Sequence, residues 1–139
     1  MKYALSVIIS IISLNSCSFN NTDNNNSTQY IAYHKNDTAY LTLEKKEDKF
    51  FGKLIIKGRG AEIQKGDVDG NVKENTLVGT YYYLPYKAKE KKRKTFVVME
   101  RNDSLIMANG TEQVYMGIPH FVPGTTNYDN PKFIFTRIK

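Results

Sequence analysis

The chain has 139 residues, room for one domain and no second core. Charged residues make up 24% and apolar residues 40%, which excludes both a disordered chain and a multi-span membrane protein. Twenty Lys and Arg against 14 Asp and Glu give +6, a charge compatible with anionic partners and equally with simple solubility. Ten Tyr, seven Phe and only four Pro favour strands, because aromatic side chains pack well on a half-buried pleated surface.

The chain opens with MKY, then ALSVIISIISL (4–14), then Asn15-Ser16-Cys17. A positive start followed by a short apolar run is the layout of an export signal, expected over residues 1–16. The run is shorter than the ~20 residues that span a bilayer. Cys17 is the only cysteine, so an exported chain has no internal disulfide to make and its thiol needs another use. Leu14-Asn15-Ser16-Cys17 resembles the lipobox of bacterial lipoproteins. That resemblance implies cleavage after Ser16, a diacylglyceryl thioether on Cys17 and acylation of the new amine, with palmitate as a typical chain. Loss of Lys2 with the signal leaves 19 − 14 = +5. Several acyl chains hold a protein stably on a membrane, whereas one alone is marginal.

Residues 17–29 are expected to form the lipidated cysteine and a disordered spacer. SFNNTDNNNSTQ (18–29) has too little apolar content to order itself, and twelve residues reach at most ~40 Å. The expected location is the cell envelope, outer membrane included, with the domain facing the periplasm or the exterior.

The domain is expected over residues 30–139. TAYLTLE (38–44) places Ala39, Leu41 and Leu43 on one face. KFFGKLIIK (49–57) places Phe50, Gly52, Leu54 and Ile56 together, and TLVGTYYYL (76–84) does so for Leu77, Gly79, Tyr81 and Tyr83. KTFVVME (94–100), SLIMANG (104–110), EQVYMG (112–117) and KFIFTRI (132–138) complete a series with period two rather than 3.6. Chain reversals are expected at Lys46-Glu47-Asp48, Asp69-Gly70-Asn71, Lys73-Glu74-Asn75 and Asn102-Asp103. The fold class is all-β: an antiparallel meander of eight or nine strands closing into a barrel, which removes exposed edges, with an open sandwich as the alternative.

DTAYLTL (37–43), FGKL (51–54), GDVDGNVKENTLVGTYYY (66–83), KTFVV (94–98) and DSLI (103–106) together resemble small lipocalin-like lipoproteins of Bacteroidetes. The likeness covers most of residues 30–110. It implies a lipocalin-like, calycin-type barrel and supplies no catalytic residues to carry over.

Candidate chemistry is sparse. His34 and His120 read as isolated surface or capping residues, and without a second mature cysteine a zinc site is not expected. Ser18, Ser27 and Ser104 are the serines after the signal, and none sits in a nucleophile elbow. Asp67-Val68-Asp69-Gly70-Asn71 echoes a calcium loop, but Val78 stands where its twelfth-position glutamate belongs, so it reads as turn chemistry. No catalytic, cofactor or metal residue is expected, and the protein is expected not to be an enzyme.

Two functional readings remain. Leu41, Phe50, Tyr81, Tyr83, Phe133 and Phe135 are the expected lining of an interior that takes a small apolar or amphipathic ligand. The same residues could fill the barrel solidly, making it a structural or protein-interaction module. Residues 87–94 carry six basic side chains and one acidic. Lys91, Lys92, Arg93 and Lys94 are candidates for an anion site, or a solvated hairpin tip. Nucleic acid is not an expected partner outside the cytoplasm; the membrane is one, through the lipid at Cys17. Residues 117–131 hold three of the four prolines and read as a long loop, either an ordered connection or a lid over one mouth presenting Phe121 and Tyr128.

Overall fold

The computed structural model describes residues 26–138. The expected signal, Cys17 and the spacer up to residue 25 lie outside the described residues. The first hairpin joins β1 (Ser27–His34) to β2 (Asp37–Lys46), and β3 (Lys49–Lys57), β4 (Ile63–Lys73) and β5 (Thr76–Leu84) follow as neighbours. Next come β6 (Lys92–Arg101) and the short β7 (Ser104–Met107). The chain then leaves the wall to form a separate hairpin, β8 (Glu112–Tyr115) with β9 (Ile118–Phe121), and returns as β10 (Ile134–Ile138). Each of the eight wall strands pairs antiparallel with its neighbours, and β1 meets β10 to close the barrel.

Alternation decides what goes inside. Ala39, Leu41 and Leu43 of β2, Phe50 and Leu54 of β3, and Leu77, Tyr81 and Tyr83 of β5 all enter one buried cluster, as their period-two spacing predicts. Phe96 and Val98 of β6, Leu105 of β7, and Phe133 and Phe135 join them from the other side. Full burial of a Leu or Phe side chain contributes about 1.5–3 kcal/mol.

Three expectations are corrected. The first strand starts at Ser27, so Ser27, Thr28 and Gln29 pair with Glu44, Leu43 and Thr42 ahead of the expected domain boundary at Tyr30. Asp69-Gly70-Asn71 is not a turn but the middle of β4, paired residue by residue with β3 and β5. Gly66, Val68, Gly70 and Val72 face inward while Lys65, Asp67, Asp69 and Asn71 face out. The inward glycines erase the apolar signal that would have marked a strand. Finally, EQVYMG is not a wall strand. Its residues 112–115 form the outer hairpin with β9, which occupies part of the expected long loop.

The glycines have a steric cause. Gly70 and Gly79 are partners across β4 and β5, where a side chain on either would collide with the backbone of the other strand. A Cβ on Gly79 would sit 1.9 Å from the Asp69 carbonyl oxygen, and one on Gly70 would sit 2.5 Å from the Gly79 Cα. Glycine at this point lets a strongly coiled pair of strands bend around a narrow barrel.

The turns place two distinct ends. Residue 27, the turns at 47–48, 74–75 and 102–103, and residue 138 gather at an entry end. The turn at 35–36, the loops 58–62 and 85–91, and the excursion from 108 to 133 belong to the far end.

Gly79→Ala should lower unfolding stability by at least about 2 kcal/mol. Urea denaturation followed by circular dichroism measures this directly, and an unchanged midpoint would contradict the close backbone contact.

Candidate functional site

The six expected ligand-lining residues do come together. Leu41, Phe50, Phe133 and Phe135 are at most 1% exposed, and Tyr81 and Tyr83 at most 6%. They pack on one another and on their neighbours. Phe50 lies 6.0 Å from Phe96 between ring centroids, and Phe133 lies 5.7 Å from Phe135. Tyr81 and Tyr83 stack at 4.6 Å with 6° between planes, and the Tyr81 hydroxyl donates to the Leu54 carbonyl at 3.2 Å. Burial, with the neighbouring Tyr83 phenol adding to it, pushes the Tyr81 hydroxyl well above the ordinary phenol range. None of the six lines the pockets described below.

The entry end is polar. A pocket of 360 Å³ lies between Tyr30, Leu43, Lys45, Glu100, Asp103 and Arg137. Lys45 of β2 and Glu100 of β6 form an ion pair there. Their strands are not neighbours in the wall, so the pair reaches across the mouth of the barrel. The Tyr30 phenol is raised by its burial and by the Glu100 charge; Arg137 and a hydrogen bond with Thr28 pull it back, and Asp103 adds a smaller upward push. The pocket carries both signs of charge, which suits a small zwitterion or water better than an apolar chain.

Strand alternation splits the basic segment. Lys92 and Lys94 pair with Tyr83 and Tyr81, on the inward-facing side of β6 at its exposed start. Arg93 pairs with Tyr82 on the outer side. Lys91 and Arg93 both sit over the Tyr82 ring, at 5.0 and 5.1 Å from its centroid. The four cations therefore form two pairs on opposite faces rather than one cradle. Tyr82, the outward tyrosine of TYYYL, organises one of those pairs, and the only signal of it in the sequence is its odd position between Tyr81 and Tyr83.

The outer hairpin rests on the wall instead of covering a mouth. β9 contacts β5 and β6, and beneath it Val97 and Thr80 are buried although they point away from the core. Glu112 accepts a hydrogen bond from the Thr95 backbone N–H at 2.8 Å, serving a β6 edge that the short β7 leaves open. Nearby, the Thr95 hydroxyl is buried without a partner. Gln113 Nε2 and His120 Nε2 lie 2.8 Å apart across the hairpin. The other histidine, His34, ends β1 edge-on to Phe133 at 6.1 Å. Among the described residues no three His, Cys, Asp or Glu gather at metal-binding distance. Asp67 and Asp69 are extended along the outer wall, and Asp67 accepts from Lys53 at 3.2 Å.

The hairpin tip is apolar and locally costly. Val114, Tyr115, Met116 and Ile118 are 52–83% exposed. Met116 and Gly117 have φ of +50° and +78°, the signs a type I′ turn requires, and asparagine is the residue best suited to the first position. Met116→Asn should therefore stabilise the fold by about 0.5–1 kcal/mol, read as a higher melting temperature.

Tyr81 also makes an alkaline prediction. Its folded pKa lies above its unfolded one, so its contribution is complete below about pH 10. Above that pH the unfolded state releases the proton while the folded state holds it, and stability falls. Urea unfolding at about pH 9 and about pH 11 should show the loss, smaller in Tyr81→Phe. Compared with protein-family models, curated proteins and solved structures, the chain has no significant match.

Proposed function

We propose that this chain is a non-enzymatic bacterial envelope lipoprotein, anchored through acyl chains on Cys17, whose filled barrel is a rigid scaffold for recognition at its surface. The observation that carries the choice between a hollow and a filled barrel is the mutual packing of Leu41, Phe50, Tyr81, Tyr83, Phe133 and Phe135 in one cluster. The ion pair between Lys45 and Glu100 above them supports the same reading, since an apolar ligand entering there would have to break it.

The export-type opening, the lipobox and the lone cysteine support the anchor. Residues 18–26 separate Cys17 from the first strand and reach at most ~30 Å. An anchor at Cys17 thus attaches at the entry end, opposite the end where Lys91 and Arg93 sit on Tyr82, which leaves the basic segment free to meet partners in the periplasm or outside the cell.

In a bacterial host, the wild-type protein should fractionate with membranes, with the mass increment of a diacylglyceryl group and one further acyl chain on the peptide beginning at Cys17. Cys17→Ser should appear in the soluble fraction or keep its signal. A membrane-bound, correctly processed Cys17→Ser protein would defeat the anchor. For the filled barrel, native mass spectrometry after organic extraction should give the bare chain mass. A co-purifying apolar molecule whose removal shifts the amide signals of Phe50 and Phe135 would restore the hollow-barrel reading.

A further inference from the structure

Strands β3, β4 and β5 carry a second feature on their outer wall, at the far end. Ile55, Ile63 and Leu84 point away from the core, and cross-strand pairing sets them beside one another with Lys57 and Lys65. Ile63 and Leu84 are 47% and 37% exposed, where a wall facing water ordinarily carries polar side chains. The turn from Pro85 to Ala88 folds beside them, closed by the Ala88 N–H donating to the Pro85 carbonyl at 3.0 Å. Its Tyr86 adds an exposed ring to the floor. Together they enclose an open groove of 420 Å³, within the roughly 300–1,000 Å³ of small-molecule sites.

The rim is of one sign. The charged residues lining the groove are Lys57, Lys65 and Lys87, with no carboxylate among them. The ion pairs among the described residues involve other lysines, namely Lys45, Lys53 and Lys132. Two of the rim ammonium groups are held over rings, Lys57 at 5.0 Å from Tyr40 and Lys87 at 5.2 Å from Tyr86. Lys87 also occupies left-handed backbone at φ +58°, a conformation that costs a lysine energy and that glycine would adopt freely. Farther along β5, Tyr82 carries Lys91 and Arg93 and faces Asp67 across β4, a carboxylate paired with Lys53, so the one-signed rim ends at the groove itself.

An apolar floor inside a cationic rim is complementary to one kind of molecule. We propose that this groove binds a single-chain amphiphilic anion, its alkyl body along Ile55, Ile63, Leu84 and Tyr86 and its carboxylate or phosphate head among Lys57, Lys65 and Lys87. A groove of 420 Å³ has room for a single chain of this kind. The site lies outside the barrel and needs no space in the core, so it goes beyond the filled-scaffold reading and is compatible with it.

The test is an amide-resolved NMR titration of residues 17–139 carrying Cys17→Ser, which keeps every described strand and the whole core. The probe is dodecanoate. Saturable shifts are expected on Ile55, Ile63, Leu84 and Ala88. Dodecyltrimethylammonium, with the same chain and the opposite charge, should bind at least roughly tenfold more weakly. The combined Lys57→Glu, Lys65→Glu and Lys87→Glu variant should lose dodecanoate binding while keeping its spectrum dispersed. If that variant does not fold, Tyr86→Ser on the exposed turn should weaken binding in its place. Equal affinity for the two amphiphiles, full binding by the variants, or no saturation by about 1 mM overturns the proposal and leaves the filled barrel standing. Shifts centred on Phe50 and Phe96 overturn both.

Discussion

Three residue pairs, Gln29 with Ile138, Tyr30 with Arg137 and Ile31 with Thr136, join the first strand to the last, and the rest of the molecule depends on that seam. Without it the wall would be an open sheet with unpaired edges and an inner face in water. With it, every inward side chain from eight strands converges on one axis, and the core becomes a cylinder of Phe, Tyr, Leu and Val. The seam also puts Arg137 beside Tyr30 and sets the entry-end pocket above the aromatic packing. One short ladder therefore links the closure of the fold to the polarity of its mouth.

A narrow closed barrel requires strands to coil tightly, and the chain meets that requirement between β4 and β5. Gly70 and Gly79 let the two backbones meet where side chains would collide. The same strands then carry opposite characters on their two faces. Inside, Val68, Leu77, Tyr81 and Tyr83 complete the packing. Outside, Leu84 and Tyr82 form an apolar and cationic surface with Ile55, Ile63 and the lysines around them. The inner face is thus given to the core cluster, while the wall and the two ends carry the exposed charged and aromatic side chains.

The outer hairpin follows from the shortness of β7. Where that strand stops at Met107, β6 continues toward the far end with an open edge, and Glu112 satisfies the Thr95 amide there. β9 then covers Val97 and Thr80, making a small second layer outside the barrel. The cost is an exposed tip with Met116 in left-handed backbone. This layer ties the long excursion to the wall.

Much of the barrel was legible in the order of residues. Period-two spacing placed Ala39, Leu41 and Leu43, then Phe50 and Leu54, then Leu77, Tyr81 and Tyr83 on inner faces, because side chains of an extended backbone must alternate. It failed at β4, where inward Gly66 and Gly70 beside Asp67, Asp69 and Asn71 read as a turn. A glycine chosen for close strand approach looks the same in sequence as one chosen for a reversal. It failed again for residues 112–115, since alternation identifies an extended segment but not its partner. The export-type opening and the lipidation proposed for Cys17 rest on local chemical patterns that are read from the sequence alone. Tertiary structure decided that the six candidate lining residues pack together, that Lys91 and Arg93 part from Lys92 and Lys94, and that three lysines from β3, β4 and a turn surround one groove. Those outcomes depend on register between strands distant in the chain, which no local spacing encodes.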